Sequence, residues 1–310
     1  MKKTFSLLIA IIMLLSFSAC RVNEAEDSDK LKIVATMFPQ YDFSRQIGGD
    51  RVQVQMLISP GTESHSFEPT TSDIKAINNC DIFIYTGGDS DHWIDALLEN
   101  TDNPHLTIIS LMDCVDKHHS NHSDEEEHNH NHNHSHIDEH VWTSPVNAVS
   151  IAERICNEMC EKDGENADYY KSNLALYTKE LMTLDEEFRN VAKEGLRNTL
   201  IFADRFPLRY FEEEYSLNHY SAFSGCSDDT EPSANTVRKL IDKVREENLP
   251  VILKIELSND SIAKTISEET GAEIRTFYSC HNISKDNFEK GETYLSLMQK
   301  NVETLRLALN

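Results

Sequence analysis

The chain has 310 residues, of which 39% are hydrophobic, and it carries a formal net charge of −24 at pH 7. This length is enough for two domains, and the hydrophobic content is typical of a soluble globular protein rather than a membrane protein. A strongly acidic surface repels nucleic acids and anionic lipids, so we expect no nucleic-acid partner; it favours cations.

The first twenty residues predict a targeting segment. Two lysines precede an apolar run over 5–17, which is shorter than the roughly 20 residues that a membrane-spanning helix needs. Small residues then precede Cys20, and this pattern is similar to a bacterial lipobox, in which the cysteine is diacylated. We therefore expect a signal peptide over 1–19, a lipidated tether over 20–30, and an extracytoplasmic protein anchored to the cell membrane. The alternative is a secreted protein cleaved near Ala19.

Strand and helix patterns alternate after the tether. Apolar or alternating runs predict strands over 31–37, 51–58, 81–88 and 105–112. Helical patterns predict helices over 38–50, 71–80, 91–100 and 145–161. Ser72 is the expected cap of the second helix. Such alternation implies a parallel sheet covered on both faces, so we expect an N-terminal α/β lobe over 31–160.

A histidine-rich loop over 117–137 interrupts this lobe. Nine of the chain's fourteen histidines lie between residues 117 and 145. Eight of them form a low-complexity arm: His118, His119, His122, His128, His130, His132, His134 and His136. Imidazoles and carboxylates are costly to bury but are ligands for divalent metals, zinc foremost. The arm therefore indicates an accessory metal-collecting loop, and the alternative is a solvated insertion. His140 follows in a sequence that we expect to be ordered.

One long amphipathic helix follows over 166–192. Seven apolar residues recur there at spacings of 4 and 3: Tyr170, Leu174, Tyr177, Leu181, Leu184, Phe188 and Val191. The helix would be about 40 Å long at 1.5 Å per residue. A segment of this length, over 161–197, would be a stiff connector between two α/β halves. A packing helix or a coiled-coil segment has the same pattern.

A second alternation predicts a C-terminal α/β lobe over 198–310. The predicted strands are 198–204, 218–225, 250–257 and 273–279, and the predicted helices are 206–215, 232–247, 260–271 and 289–309. The fold class is thus α/β, with two Rossmann-like lobes of parallel sheet joined by one long rigid helix. Ligands of open α/β sheets bind beyond the carboxyl ends of the strands. The candidates near such ends are His65, His140, Asp204, Glu256 and His281.

Six cysteines follow Cys20, and an even number outside the cytoplasm permits disulfides. Their pairing does not follow from the sequence. Cys156 and Cys160 are four residues apart on a predicted helix, which is a poor geometry for a bridge within unbroken helix.

Several ordered motifs resemble one known family from about residue 31 to the C-terminus. They are the HSFEP loop at 65–69, the histidine-rich insertion, EHVWTSP at 139–145, the Glu-Pro-Ser of the 226–233 loop, Glu256, and the ending over 291–309. The chain resembles the substrate-binding lipoproteins of bacterial zinc and manganese ABC importers (cluster A-I), the zinc-specific branch in particular. The resemblance implies two α/β lobes bridged by a long helix, with the metal in the cleft between them.

The resemblance also implies a set of metal ligands. The first two fall on His65 and His140, and the last falls on His281. The family's third ligand is a histidine or glutamate, but Arg205 stands at that position here, and arginine cannot coordinate a cation. Asp204 or water therefore completes the expected tetrahedron.

Two further expectations concern the second lobe. Arg205 is expected to pair with Asp204 or Glu256 if it has a structural role. Because the zinc branch often has a disulfide in its second lobe, Cys226 and Cys280 are the candidate pair.

These observations predict a monomer that captures Zn²⁺ between the lobes and delivers it to the membrane permease of an ABC transporter. Three imidazoles favour zinc, whereas a manganese-binding homologue would use more carboxylate oxygens. A surface adhesin or zinc-buffering lipoprotein is the other alternative. HExxH and GxSxG motifs do not occur in the sequence, so we expect no enzyme. Because neutral imidazole binds metal, we expect binding to weaken as pH falls through about 6.5.

Overall fold

The computed structural model describes residues 30–62, 67–88, 91–99, 101–115, 138–223 and 232–310. Cys20, His65, the histidines of the arm and Cys226 lie outside these residues, so the predictions that concern them stay predictions. Across the described ranges, we find no helix with the length and apolar character that crossing a membrane requires.

The first sheet has four parallel strands in the order β2-β1-β3-β4. The strands are β1 (Leu31–Ala35), β2 (Val52–Met56), β3 (Ile82–Tyr85) and β4 (Thr107–Ser110). The helices of this part are α1 (Phe38–Gly48), α2 (Thr71–Asn78) and α3 (His92–Leu98), and two longer helices follow, α4 (Pro145–Lys162) and α5 (Ala167–Glu194). Ile82, Phe83 and Ile84 on β3 are all buried, as expected for a strand with both faces covered.

The second sheet repeats this topology in the order β6-β5-β7-β8, again all parallel. Its strands are β5 (Thr199–Phe202), β6 (Asn218–Ser221), β7 (Val251–Lys254) and β8 (Glu273–Thr276). The helices are α6 (Arg209–Tyr215), α7 (Ala234–Glu247), α8 (Ser261–Thr270), α9 (Lys285–Glu289) and α10 (Tyr294–Leu309). The predicted fold class, two parallel-sheet α/β lobes with a long helix, is confirmed.

Helix α5 contacts both lobes along its length. Near its start, Asn173 Nδ2 donates to the Ile47 carbonyl of α1 at 2.9 Å. Near its end, Tyr215 of α6 donates its hydroxyl to Asp185 at 3.0 Å. Six of the seven stripe residues are buried, and Leu174 is half-buried. The stripe therefore packs against both halves of the molecule.

One predicted helix cap and one predicted helix start are wrong. Thr70, not Ser72, caps α2: its hydroxyl accepts the Asp73 N–H, and the Asp73 carboxylate accepts the Thr70 N–H, which is a complete capping box. Helix α6 begins at Arg209 rather than 206, because the proline at 207 disfavours helical backbone at the preceding residue.

The predicted closing helix, 289–309, begins later than expected, at Tyr294, and a separate short helix precedes it. Gly291 has a φ of +72°, which ends the short helix α9, and Thr293 with Ser296 forms a capping box that starts α10. The sequence pattern over 289–309 did not reveal this interruption, because the apolar spacing resumes on its far side.

Candidate metal site

His140 is held in a rigid turn between the first sheet and α4. It directly precedes a short 3₁₀ turn, Val141–Thr143, and Ser144 then caps α4, which has Pro145 at its first position. The side chain of His140 is only 1% exposed. The sequence therefore places this imidazole inside the protein rather than on a mobile loop.

Asp138 fixes the orientation of the His140 ring. One carboxylate oxygen of Asp138 lies 2.7 Å from His140 Nδ1 and also accepts the His140 backbone N–H at 2.8 Å. Burial acts to raise the pKa of Asp138, but the charge and hydrogen bonds of His140 outweigh it and hold that pKa below its usual value. An ionised carboxylate can only accept, so Nδ1 carries the proton and coordination through this ring would use Nε2.

His281 lies in a turn beyond β8 that is fixed through Ser279. Glu256 accepts both the backbone N–H of Ser279, at 2.7 Å, and its hydroxyl, at 2.8 Å. The Ser279 hydroxyl oxygen also accepts the His281 N–H at 3.3 Å, and the Ser279 carbonyl accepts Trp142 Nε1–H at 3.0 Å. The turn is therefore tied to the strand end of its own lobe and to the segment that carries His140.

Glu256 is buried, and its burial raises the pKa of this carboxyl to about 7 despite the hydrogen bonds from Ser279. Both of its oxygens serve the Ser279 turn. Glu256 was one of the two expected partners of Arg205. The hydrogen bonds that hold the Glu256 carboxylate in place come from Ser279.

The two histidines meet across the lobes. The ring centroids of His140 and His281 are 4.8 Å apart and their planes are nearly perpendicular, at 87°. Trp142, which is fully buried, lies 5.5 Å from the His281 ring and 5.4 Å from the His140 ring. Two imidazoles 141 positions apart in the chain thus come together beside one indole.

Asp204 has a different environment. It is buried, one carboxylate oxygen accepts the Arg205 N–H at 2.8 Å, and the other accepts the Ile255 N–H at 3.2 Å. These bonds join the ends of β5 and β7. The guanidinium carbon of Arg205 lies 6.0 Å from the Phe223 ring centroid. Within the described part of the chain, no three His, Cys, Asp or Glu side chains form a group that could hold a metal ion.

The cysteine predictions have separate outcomes. Cys280 is fully buried and burial raises the pKa of its thiol well above the usual value, while its predicted partner Cys226 lies outside the described residues. Cys156 and Cys160 have sulfur atoms 4.0 Å apart on α4 and are thiols, as expected from their spacing.

Sequence reasoning missed two residues of this site. Asp138 was not singled out, although an aspartate two residues before the candidate ligand was a usable signal. Asn282 was not singled out either, because nothing in its local sequence shows that its amide reaches the other lobe, where it donates to the carbonyls of Ser59 and Thr62.

Comparison with known proteins gives a consistent result. A family model described as zinc-uptake complex component A, periplasmic (ZnuA), matches residues 33–308. The chain is 31% identical to the high-affinity zinc uptake system protein ZnuA of Bacillus subtilis, with 99% of this chain and 98% of that protein covered. It is 28% identical to the zinc-binding lipoprotein AdcA of Streptococcus pneumoniae (strain R6), with 98% of this chain but 60% of that protein covered. The chain thus spans about three fifths of the length of the AdcA relatives that it matches.

The fold is similar to the crystal structure of the Zn(II)-bound ZnuA-like domain of Streptococcus pneumoniae AdcA. The TM-score is 0.74 at 26% sequence identity, and the match covers 90% of this chain and 99% of that one.

Proposed function

We propose a zinc-capture function for this chain, which belongs to the ZnuA family, the periplasmic component A of zinc-uptake complexes. The protein captures Zn²⁺ in the cleft between its two lobes and delivers it to the permease of an ABC transporter. Zinc is the cargo. The family is one of extracytoplasmic solute-binding transport proteins, not of enzymes.

One observation carries this proposal: a histidine from the segment before α4 and a histidine from the second lobe are in ring contact. His140 is buried and oriented by a carboxylate, and His281 comes from a turn that several hydrogen bonds fix. Neutral imidazoles are preferred zinc ligands, and an ordered carboxylate behind one of them is a common feature of zinc sites. A metal bound between them would join the lobes.

The proposed ligand set is His65, His140 and His281, with Asp204 or water in the fourth position. Thr62, three positions before His65 in the sequence, is hydrogen-bonded to the residue after His281, and this supports a role for His65. Asp204 uses both carboxylate oxygens to bind backbone N–H groups, which favours water as the fourth ligand. Three nitrogen ligands favour Zn²⁺ over Mn²⁺.

The proposal also covers the N-terminal anchor, the histidine arm, the oligomeric state and the second-lobe cysteines. Cys20 carries the lipid anchor, which agrees with the lipoprotein name of a relative. The histidine arm collects zinc near the cleft and raises its local concentration. The protein works as a monomer that docks on the permease, and a second-lobe disulfide joins Cys226 to Cys280.

The test replaces His140 and His281 singly by alanine while the arm stays intact. His105→Ala is the control because His105 is exposed and lies outside the proposed ligand set. Loss of a residue behind a ligand usually costs about 10–100-fold in affinity, so loss of a ligand should cost at least about 100-fold. Zinc affinity is measured by competition with a chromophoric chelator, and thermal unfolding of the metal-free variants verifies folding. If both variants bind zinc as tightly as the control, the cleft is not the site, and the arm becomes the candidate for a buffering function.

A further inference from the structure

A group of hydrogen bonds joins the two lobes immediately after His281. Asn282 Nδ2 donates to the Ser59 carbonyl at 3.0 Å and to the Thr62 carbonyl at 2.8 Å. The Gly61 N–H donates to the Ile283 carbonyl at 2.8 Å. We call these five residues the interlobe latch: Ser59, Gly61 and Thr62 in the loop after β2, and Asn282 and Ile283 in the turn after β8.

Asn282 uses its whole amide in the latch. Its side-chain nitrogen donates to two first-lobe carbonyls, and its side-chain oxygen accepts the Ile283 N–H at 2.7 Å. The residue is 3% exposed, so water cannot readily replace these partners. If these partners were lost while the amide stayed buried, the free-energy cost of removing the amide from water would not be offset. The hydrogen bonds therefore strongly favour the arrangement in which the two loops are in contact.

Gly61 allows the two loops to approach. Its φ is +79°, and a Cβ at this position would lie 3.2 Å from Cγ of Lys285, which comes from the same second-lobe segment as the latch. Both the backbone angle and the space therefore favour glycine. The close contact between the loops depends on residues from both lobes.

We propose that Asn282 is a positioning residue for metal binding, an inference that rests on the proposed function. It holds Ser59 and Thr62, in the loop after β2, against the turn that presents His281. The turn that presents His281 is thereby fixed against the first lobe, which presents His140, before zinc arrives. Zinc then binds without the loss of freedom that bringing two separate loops together would require.

The test compares Asn282→Ala and Asn282→Asp with Asn103→Ala. Aspartate keeps the acceptor for the Ile283 N–H but has no N–H for the first-lobe carbonyls, so it isolates the interlobe bonds. Asn103 is a matched control because its side-chain nitrogen also donates to two backbone carbonyls, those of Asn78 and Cys80, and its oxygen accepts a nearby N–H, all within one lobe.

Both Asn282 variants should bind zinc about 10-fold more weakly, which corresponds to about 1.4 kcal/mol, and should release it faster. Asn103→Ala should lower the melting temperature of the metal-free protein without changing zinc affinity. The visible spectrum of the Co²⁺-loaded protein should change in the Asn282 variants alone, because its bands report ligand geometry. If Asn282→Ala does not fold, Gly61→Ala, which alters the latch from the other lobe, must show the same loss.

Two results would overturn this inference. One is zinc affinity and Co²⁺ spectra in the Asn282 variants that equal those of Asn103→Ala. The other is a loss in Asn282→Ala that Asn282→Asp fully restores, since the local bond to Ile283 would then be sufficient. His140→Ala measured alongside separates the two proposals. If His140→Ala retains wild-type zinc affinity, the proposed cleft function is wrong. If His140→Ala loses zinc affinity while the Asn282 variants retain it, only the role of the latch is rejected.

Discussion

Asp138 gives the His140 ring a single orientation. The 2.7 Å contact with Nδ1 fixes which nitrogen carries the proton, and the hydroxyl of Tyr210 in turn donates to the Asp138 carbonyl at 3.0 Å. Tyr210 lies on α6 in the second lobe, so the residues that orient this proposed ligand come from both lobes. The orientation of the imidazole is therefore a property of the assembled molecule.

Replacement of Asp138 by alanine should weaken zinc binding by about 10–100-fold, because the imidazole loses both its orienting partner and the charge that makes it a better donor. Asp138→Asn, which can still accept from Nδ1–H, should show a smaller loss. Competition titration measures the affinities, with Asp102→Ala, an exposed site, as the control. Equal affinities in all three variants would show that Asp138 has no part in zinc binding.

Asp42 is a carboxyl group whose titration is changed by burial. It lies on α1, it accepts the Tyr294 N–H at the start of α10 at 2.8 Å, and burial raises its pKa from 3.8 to about 6. Because the folded-state pKa is the higher one, ionisation of Asp42 disfavours the folded state. The stability of the wild type should therefore fall, relative to Asp42→Asn, as pH rises from about 4 to about 6, and the difference should stay level above that.

The expected size of this change is up to about 3 kcal/mol, since one pKa unit corresponds to about 1.4 kcal/mol. Urea unfolding of the metal-free proteins at pH 4, 5, 6 and 7.5 measures it. A difference between wild type and Asp42→Asn that is the same at every pH would show that Asp42 titrates alike in the folded and unfolded chains.

At the scale of elements, α5 and α10 hold the two lobes together. Phe43 of α1 contacts Tyr177 of α5 with ring centroids 6.1 Å apart and Tyr294 of α10 at 4.9 Å. The Tyr294 hydroxyl also donates to the Trp142 carbonyl at 2.6 Å, next to the two histidines. The helices that connect the lobes thus also hold Trp142 beside His140 and His281.

The apolar stripe of α5 provides a matched pair of leucines. Leu181 is fully buried, whereas Leu176, on the same helix, is 67% exposed. Leu181→Ala should lower the free energy of unfolding by about 2–5 kcal/mol through lost burial and a cavity, and Leu176→Ala by less than about 0.5 kcal/mol. Denaturant unfolding of the metal-free protein measures both. Similar losses in the two variants would contradict the assignment of the buried face.

At the scale of the whole molecule, zinc held between the lobes should stabilise the fold. At a free concentration about 100 times the Kd it should add about 2.7 kcal/mol to the free energy of unfolding. Addition of a chelator should remove this increment, and so should acidification to about pH 5.5, because protonated histidine does not bind metal.

Thermal and denaturant unfolding with and without zinc, at pH 7.5 and 5.5, measure the increment. The His281→Ala variant is the control, since it should show little response at the same zinc concentration. A wild-type protein whose stability does not respond to zinc at pH 7.5 would contradict binding between the lobes.

The two lobes, the long helix and the candidate histidines can be recognised from the amino-acid sequence alone. Strand and helix periodicity are local properties, so the alternation over 31–112 and 198–279 and the stripe from Tyr170 to Val191 can be recognised without knowing any distant contact. Helix ends were less certain because a single side chain decides them, as Thr70 and Gly291 show.

The pairs of residues that come into contact depend on the packing of the folded chain. His140 lies against His281, and Asn282 reaches Thr62 across 220 positions of the chain. Such pairs depend on how two separately predictable lobes pack together, and no local pattern records the partner of a buried amide or the orientation of an imidazole. Asn282 was overlooked for this reason, since it is an ordinary polar residue until the fold supplies its partner. Asp138, by contrast, lies two residues before His140 and could have been singled out from the sequence.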